Sequence, residues 1–387
     1  MKIFLHLILI CCFFGMSTLR AQHVGIGTAT PAAMLHVADS SVVFTATGDI
    51  AISPGNPPVE TEGRRLLWYA DKAAFRVGYT SPFNNNLWTK NNIGAYSFAA
   101  GQVSNASGFA ALAIGGGCIA SGNYSVALGS SSATATQATA SGNSTASGIG
   151  SVALGGAQAS GTQAVSLGFA TIASGNNSVA LGFQSTANGH NSTAMGSYVT
   201  TSGYSGAFAL GDNSTTTVMP SFVNNGFRAR FVGGYRLFTT PITTDGTAIG
   251  ALLNTNQSSW SAISDIHRKE NFIDVNGESF LNKIADLHLT SWNYKGQDVK
   301  TLRHYGPMAQ DFFAAFGRDD FGEIGDDTTI NQQDFLGVNL IAIQALEKRT
   351  QKIEMLEHQV FILNEKINAL MNELKNKKKN KSNLQPK

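Results

Sequence analysis

Ser125-Val126-Ala127-Leu128-Gly129, Ser151-Val152-Ala153-Leu154-Gly155 and Ser178-Val179-Ala180-Leu181-Gly182 are near copies of one another. Looser versions are Leu112-Ala113-Ile114-Gly115, Val165-Ser166-Leu167-Gly168, Thr193-Ala194-Met195-Gly196 and Ala207-Phe208-Ala209-Leu210-Gly211. The closing glycines stand at 101, 115, 129, 142, 155, 168, 182, 196 and 211, so the repeat is 13–14 residues long, with one spacing of 15. A second glycine series, at 108, 122, 148, 161, 175, 189 and 203, divides each unit into two short segments, each closed by a turn. Within Ser-Val-Ala-Leu-Gly the period is two, which predicts a strand. Ser, Ala and Gly share one face, and that face must meet an opposite wall very close by. Val and Leu share the other and form an apolar stripe once repeats stack. A unit this short cannot bury its own apolar face, so stacking and then association are required. The fold class expected is mainly β: a parallel β-roll or solenoid over residues 94–211 that oligomerises through its Val/Leu face.

Charge and composition support that division. Only 13% of the 387 residues are charged, about half the usual ~25%. Residues 91–211 contain no Asp, Glu, Lys or Arg at all; the 27 basic and 25 acidic residues all lie elsewhere. A two-carboxylate glycosidase site or an acid-ligated calcium site cannot be built from that third of the chain. With a net charge of +2 and no central basic patch, nucleic acid is not expected as a partner. An ice-binding face would need regular Thr-x-Thr rows, and residues 134–145 hold only a local cluster of threonines.

These repeats resemble the head repeats of trimeric autotransporter adhesins, over residues 95–211. The resemblance implies a narrow left-handed β-roll assembled as a homotrimer. It stops short of the adhesins' C-terminal end, since no run of transmembrane strands closes this chain, and no anchoring barrel is expected. Before the roll, residues 1–21 read as an export signal: Lys2 is basic, residues 3–16 are apolar, and Leu19-Arg20-Ala21 precede a cleavage point. An exported protein, secreted or held at the cell surface, is therefore expected, with no transmembrane span in the mature chain. Cys11 and Cys12 fall in the signal, leaving Cys118 as a lone, buried apolar residue. Residues 22–93 form an N-terminal fibre segment, opening on Val24-Gly25-Ile26-Gly27; its charged and aromatic part, residues 38–93, suggests no chemistry. After the roll, residues 212–261 read as a β connector, in which Phe227-Arg228-Ala229-Arg230-Phe231 and Tyr235-Arg236-Leu237-Phe238-Thr239 form a strand pair joined at Gly233-Gly234.

The C-terminal third carries a different pattern. Ile353, Val360, Ile367 and Leu374 recur every seven residues, with Leu356, Leu363 and Leu370 at the complementary position, predicting a coiled coil over residues 353–374. The zipper rule for β-branched residues with Leu favours two strands, whereas the much longer repeat seam favours three, and the longer seam is given the greater weight. Residues 375–387 are a basic, solvated tail. Upstream stand three blocks in order: Ser264-Asp265-Ile266-His267-Arg268-Lys269-Glu270-Asn271, then His304-Tyr305-Gly306-Pro307-Met308-Ala309-Gln310-Asp311, then residues 335–346. They resemble the C-terminal intramolecular chaperone of endosialidases and other phage tail spikes, a serine peptidase family that cuts itself off after assembling its trimer. The resemblance spans residues 262–358, an α+β unit ending in the coil, and the Ser-Asp-x-x-x-Lys-x-Asn run is its specific part. It implies a catalytic Ser–Lys dyad on Ser264 and Lys269 and a scissile bond at Ile263–Ser264, with Asp265, Asn271, Gly306 and Gln310 in support. Here His267 stands where the family usually has arginine, and Phe272 where a smaller aliphatic is common.

The chemistry is reasonable, because a serine hydroxyl becomes a nucleophile when a desolvated lysine takes its proton. Residues five apart, however, lie on opposite faces of a strand and about 140° apart on a helix. The pair needs a turn between its members, or a Lys269 from a neighbouring subunit. On spacing alone, Ser264 also reads as a cap and Lys269 as a surface charge. No Gly-x-Ser-x-Gly elbow, phosphate loop or His-Glu-x-x-His is present, and the scattered histidines have no ligand spacing, so neither cofactor nor metal is expected. The function expected is an exported trimeric fibre or adhesin-like protein whose C-terminal domain trimerises the chain and autocleaves. The alternatives are a structural or adhesive protein in which that domain is a permanent trimer clamp, and a tail-spike-like enzyme acting on a surface glycan. Partners beyond the chain itself, such as a host or cell-surface ligand, are not specified by these residues.

Overall fold

The structure, a computed structural model, describes residues 23–241 and 248–382. The expected export signal lies outside the described residues. The chain divides between Ile263 and Ser264 into two compact units.

The first unit is mainly β. Two sheets run along the repeats, one of 12 strands and one of nine, with every strand of the repeats paired in parallel. In the larger sheet, strands such as Val126–Leu128, Val152–Leu154 and Val179–Phe183 stack with like residues opposite like: Val152 faces Val165, and Leu154 faces Leu167. The smaller sheet is built from two-residue strands such as Ser132–Ala133, Thr145–Ala146 and Gln158–Ala159. Each repeat contributes one strand to each sheet, and this is the β-solenoid the repeat predicts. Its interior is a column of small side chains: Ala113, Ala127, Ala140, Ala153, Ala180 and Ala194 are all fully buried. Val126, Leu128, Val165 and Leu181 point the other way and are half-buried, while Ile114 and Leu154 are exposed. Cys118 is buried in the same core.

The two glycine series have distinct causes. Gly182 has φ +110°, and a Cβ there would also run into the carbonyl oxygen of Gly196 on the next coil. Gly161 has no such φ, but a Cβ on it would strike the carbonyl of Gly175. Coil stacking, rather than turn chemistry alone, demands the second series from 108 to 189, while Gly203 has φ +82° and open space around it. At the corners of the coils, aromatic rings continue the stacking outside: Tyr96, Phe109 and Tyr124 meet edge-to-face, and Phe169 stacks on Phe183 with centroids 5.7 Å apart.

Both ends of the alanine column are closed by arginine. Strand Ala74–Thr80 pairs in parallel with Phe98–Gln102, placing Arg76 opposite Ala99. At the far end Arg228 stands opposite Ala209. Arg76 is fully buried without a carboxylate partner; it donates to the carbonyls of Phe75, Ser97 and Ala106 and to Ser97 Oγ at 2.8–3.1 Å. Burial pulls its pKa down to about 10, so the guanidinium stays charged at neutral pH. Arg228 donates to the Pro220 carbonyl and lies over the Phe222 ring. Each arginine thus reaches a terminal strand of the smaller sheet, Asn105–Ala106 at one end and Met219–Pro220 at the other. The next arginine, Arg230, pairs with Asp212 at 3.1 Å. A backbone hydrogen bond from Val232, together with Ser214 and Arg230, holds the Asp212 carboxyl at about 2.

One expectation is corrected here. Phe227–Arg230 and Tyr235–Phe238 do not pair with each other. Phe227–Arg230 is the last rung of the larger sheet, parallel to Phe208–Gly211, with the Phe227 ring on Phe208. Tyr235–Phe238 pairs antiparallel with Gly250–Leu253, which in turn pairs with Ser261–Ala262. The alternation does make a strand, but its partner is set by Arg228 completing the small-residue column and by ring stacking. Before the roll, hairpin Gly63–Tyr69/Ala74–Thr80 encloses a small core of Leu67, Tyr69, Ala74, Trp88 and Ile93. Val24–Ile26 pairs in parallel with Leu35–Val37.

In the second unit, helices Gly277–Asp286 (α1), Ala309–Phe316 (α2) and Gln332–Ser382 (α3) accompany a two-stranded sheet, Thr290–Trp292 with His304–Gly306. The predicted coil is thus the distal part of one 51-residue helix. Its heptad residues Ile353, Leu356, Val360, Leu363, Ile367, Leu370 and Leu374 are all exposed in the single chain. No helix among the described residues is long and apolar enough to cross a membrane.

The column sets the direction of three stability changes. Arg76→Met fills the space but removes the bonds the guanidinium donates to three carbonyls and to Ser97 Oγ, and should lower the unfolding free energy by about 2–3 kcal/mol in urea titrations. The hydroxyls of Ser125, Ser151 and Ser178 are buried without a partner, and the alternate rungs carry Ala138 and Ala164 at the same place. Replacing all three serines with Ala should therefore leave Tm unchanged or raise it. Ser192→Ala, which loses bonds to the Gly189 carbonyl (2.7 Å) and Thr201 Oγ1 (3.0 Å), should lower it.

Candidate functional site

The Ile263–Ser264 bond lies between two short elements. On its N-terminal side, Ser261 and Ala262 are held in the antiparallel ladder opposite Leu252 and Ala251. Ile263 is half-buried, and Ser264 is exposed. On its C-terminal side, Asp265 has extended backbone dihedrals and caps a single 3₁₀ turn, Ile266–Arg268: its Oδ1 accepts from the backbone N–H of His267 at 3.0 Å. Two backbone bonds close the turn, Arg268 N–H to the Asp265 carbonyl (3.1 Å) and Lys269 N–H to the Ile266 carbonyl (3.2 Å). Lys269 is extended again.

This turn resolves the spacing problem. Between two extended residues it folds the chain back, and Lys269 Nζ donates to Ser264 Oγ at 2.7 Å within one chain. Both residues are exposed. Asn271 follows with φ +56°, a left-handed position that Asn tolerates better than most residues. Asp265 and Asn271 therefore shape the backbone on either side of Lys269. Gly306 and Gln310 are placed elsewhere. Gly306 ends the strand opposite Thr290 with φ +146°, and Gln310 sits in the first turn of α2. No hydrogen bond in the structure joins either residue to Ser264 or Lys269.

The second and third blocks of the sequence build the frame of this unit. Phe312 and Phe316 of α2 pack with Val338 of α3 in a core edged by Phe280, Ile284, Leu287 and Phe335. Beside it, Trp292 stacks on His304 with centroids 4.7 Å apart. Helix α1 is capped by Asn276, whose side chain accepts from Ser279 N–H, and it lies on α3, where Gly277 approaches Ala345 and Ile341. Glu278 and Asn282 of α1 accept from Arg349 of α3, and that bond holds the Glu278 carboxyl below the usual range. The Glu278–Arg349 clamp was not anticipated: its partners are far apart in sequence and neither belongs to a motif. Among the described residues no three His, Cys, Asp or Glu side chains gather as a metal site.

No curated protein matches the chain. Residues 106–132, 146–171, 159–185 and 173–198 match the family model of the YadA head domain repeat, and all of them lie within the stacked coils of the roll. Residues 264–319 match the family described as chaperone of endosialidase, a match that begins at Ser264 and takes in the turn, Lys269, α1, the two-stranded sheet and α2.

Proposed function

We propose that the chain is one subunit of an exported homotrimeric fibre. Its roll is the adhesin-like body, and its C-terminal unit brings three chains into register and then detaches itself at Ile263–Ser264. The observation that carries this reading is the 2.7 Å contact between Lys269 Nζ and Ser264 Oγ. It sits at the bond where the chain divides into its two compact units and where the chaperone-family match begins.

In the proposed reaction, neutral Lys269 takes the hydroxyl proton of Ser264 as Oγ attacks the Ile263 carbonyl carbon. The C–N bond breaks, the Ser264 nitrogen receives the proton from Lys269, and an ester links Ile263 to Ser264 Oγ. Water then hydrolyses the ester, leaving the Ile263 carboxylate and a free Ser264 amine and hydroxyl. Because the substrate is the same chain, one turnover completes the task and no separate substrate pocket is required. A lysine serves as base when its surroundings exclude water. Both dyad residues are exposed in a single chain, so neighbouring subunits are the proposed source of that exclusion, and cleavage would then report assembly.

A second reading keeps the trimer and omits proteolysis, and the exposure of Ser264 and Lys269 favours it. The C-terminal unit would then remain as a permanent clamp. A glycan-cleaving role has little support, since residues 91–211 offer no carboxylates.

Intact-mass measurement on the mature wild type is expected to give fragments 22–263 and 264–387, while Ser264→Ala and Lys269→Met stay whole. Hydroxylamine should trap the ester and leave a hydroxamate on Ile263. A wild type that stays whole as a folded trimer would establish the clamp. In the α3 seam, Leu363→Asp combined with Leu370→Asp should convert the trimer to monomer in sedimentation runs. The same change should abolish cleavage if neighbouring subunits complete the site.

A further inference from the structure

We infer that Asp265 is a positioning residue for the Ser264–Lys269 pair, acting through its carboxylate oxygen as the cap of the Ile266–Arg268 turn rather than through its charge. The inference rests on the reading of Ser264 and Lys269 as the cleaving pair. Along an extended chain, five residues would separate the two Cα atoms by about 16 Å, and a helix would turn the side chains roughly 140° apart. Their meeting depends entirely on the chain reversing within Ile266, His267 and Arg268.

The backbone of that reversal contributes little stability of its own. A single 3₁₀ turn has poor hydrogen-bond geometry and costs nucleation entropy for very few bonds. Burial does not hold this one, because Ile266 is 66% exposed and His267, Arg268 and Lys269 are exposed as well. The Asp265 side chain supplies what burial does not: Oδ1 accepts from His267 N–H at 3.0 Å, while the Asp265 carbonyl accepts from Arg268 N–H. One residue therefore satisfies two donors of the turn, and it is adjacent to the nucleophile. A bare carboxylate near Lys269 would act in the opposite sense electrostatically, since negative charge favours the ammonium form and opposes a base. Capping and charge therefore predict different variants to be active.

The test compares Asp265→Asn, Asp265→Ser and Asp265→Ala in the full mature chain, following the cleaved fraction against time and pH. Asn and Ser retain an oxygen that can cap, and both are expected to cleave at rates near wild type. Ala is expected to slow cleavage by roughly tenfold, the rate equivalent of one lost cap, without moving the midpoint of the pH profile and with the trimer intact. Equal rates in Ala and wild type, or an Asn variant as slow as Ala, would overturn the inference. If the wild type does not cleave, the dyad reading fails, and the positioning role is read separately from acetylation of the Lys269 amine, followed by peptide mass. In that case Lys269 should be slower to react than in Ser264→Ala, a difference that Asp265→Asn preserves and Asp265→Ala erases. A difference that survives in Asp265→Ala would overturn it.

Discussion

The two sheets of the roll lie so close that their facing side chains can be no larger than alanine, serine or threonine for most of its length. That spacing is the constraint on which the rest of the molecule depends. It removes large apolar side chains from the interior and sends Val126, Leu128, Val165 and Leu181 to the outside. It brings successive coils so near that Gly161 and Gly182 have no room for a Cβ. Small buried residues contribute little apolar area each, so stability must come from many identical rungs and from the unbroken backbone ladder.

A stack of this kind has two weaknesses, its ends and its outer stripe. Arginine closes the ends. Arg76 and Arg228 take the place that alanine holds in every interior rung but one, where Ser166 stands, and each extends a guanidinium to a carbonyl of the opposite sheet. Arginine suits the task because several donors stand on a long apolar stem, and the stem fills the column while the fork satisfies backbone. The outer stripe has no such solution within one chain. Its half-buried Val and Leu rows and the exposed heptad face of α3 are two seams on one polypeptide, and like seams on three chains can cover each other. A register slip between chains would misalign every rung of the longer seam, which is the physical reason to start assembly from the short coil.

In the second unit, the residues near the Ile263–Ser264 bond differ from those that build the unit. Phe312, Phe316 and Val338 form its core, and Arg349 clamps α1 to α3. Ser264, Asp265 and Lys269 stay on the exposed segment before α1. An exposed turn in a unit with a firmly packed frame is suited to a contact whose environment changes when neighbours arrive.

Much of this was written in the sequence because the repeat is local. Period-two alternation, the glycine spacings and the uncharged stretch each reflect contacts between adjacent coils, so one repeat carries the information for all. The heptads of α3 are likewise local, and the Ser-Asp-x-x-x-Lys-x-Asn run names the residues that follow the Ile263–Ser264 bond. Tertiary structure alone decided four things. Phe227–Arg230 became the last rung of the roll because Arg228 fits the column and Phe227 stacks on Phe208, a preference visible only once the earlier rung exists. Helix α3 starts at Gln332, before the heptads, because Val338, Ala342 and Ala345 are buried and extend the helix ahead of Ile353. Arg76, with its charge buried, became an end-plug because backbone carbonyls from two other strands converge on it. Ser264 and Lys269 met because a capped turn of three residues reversed the chain, and neither strand nor helix periodicity encodes such a reversal.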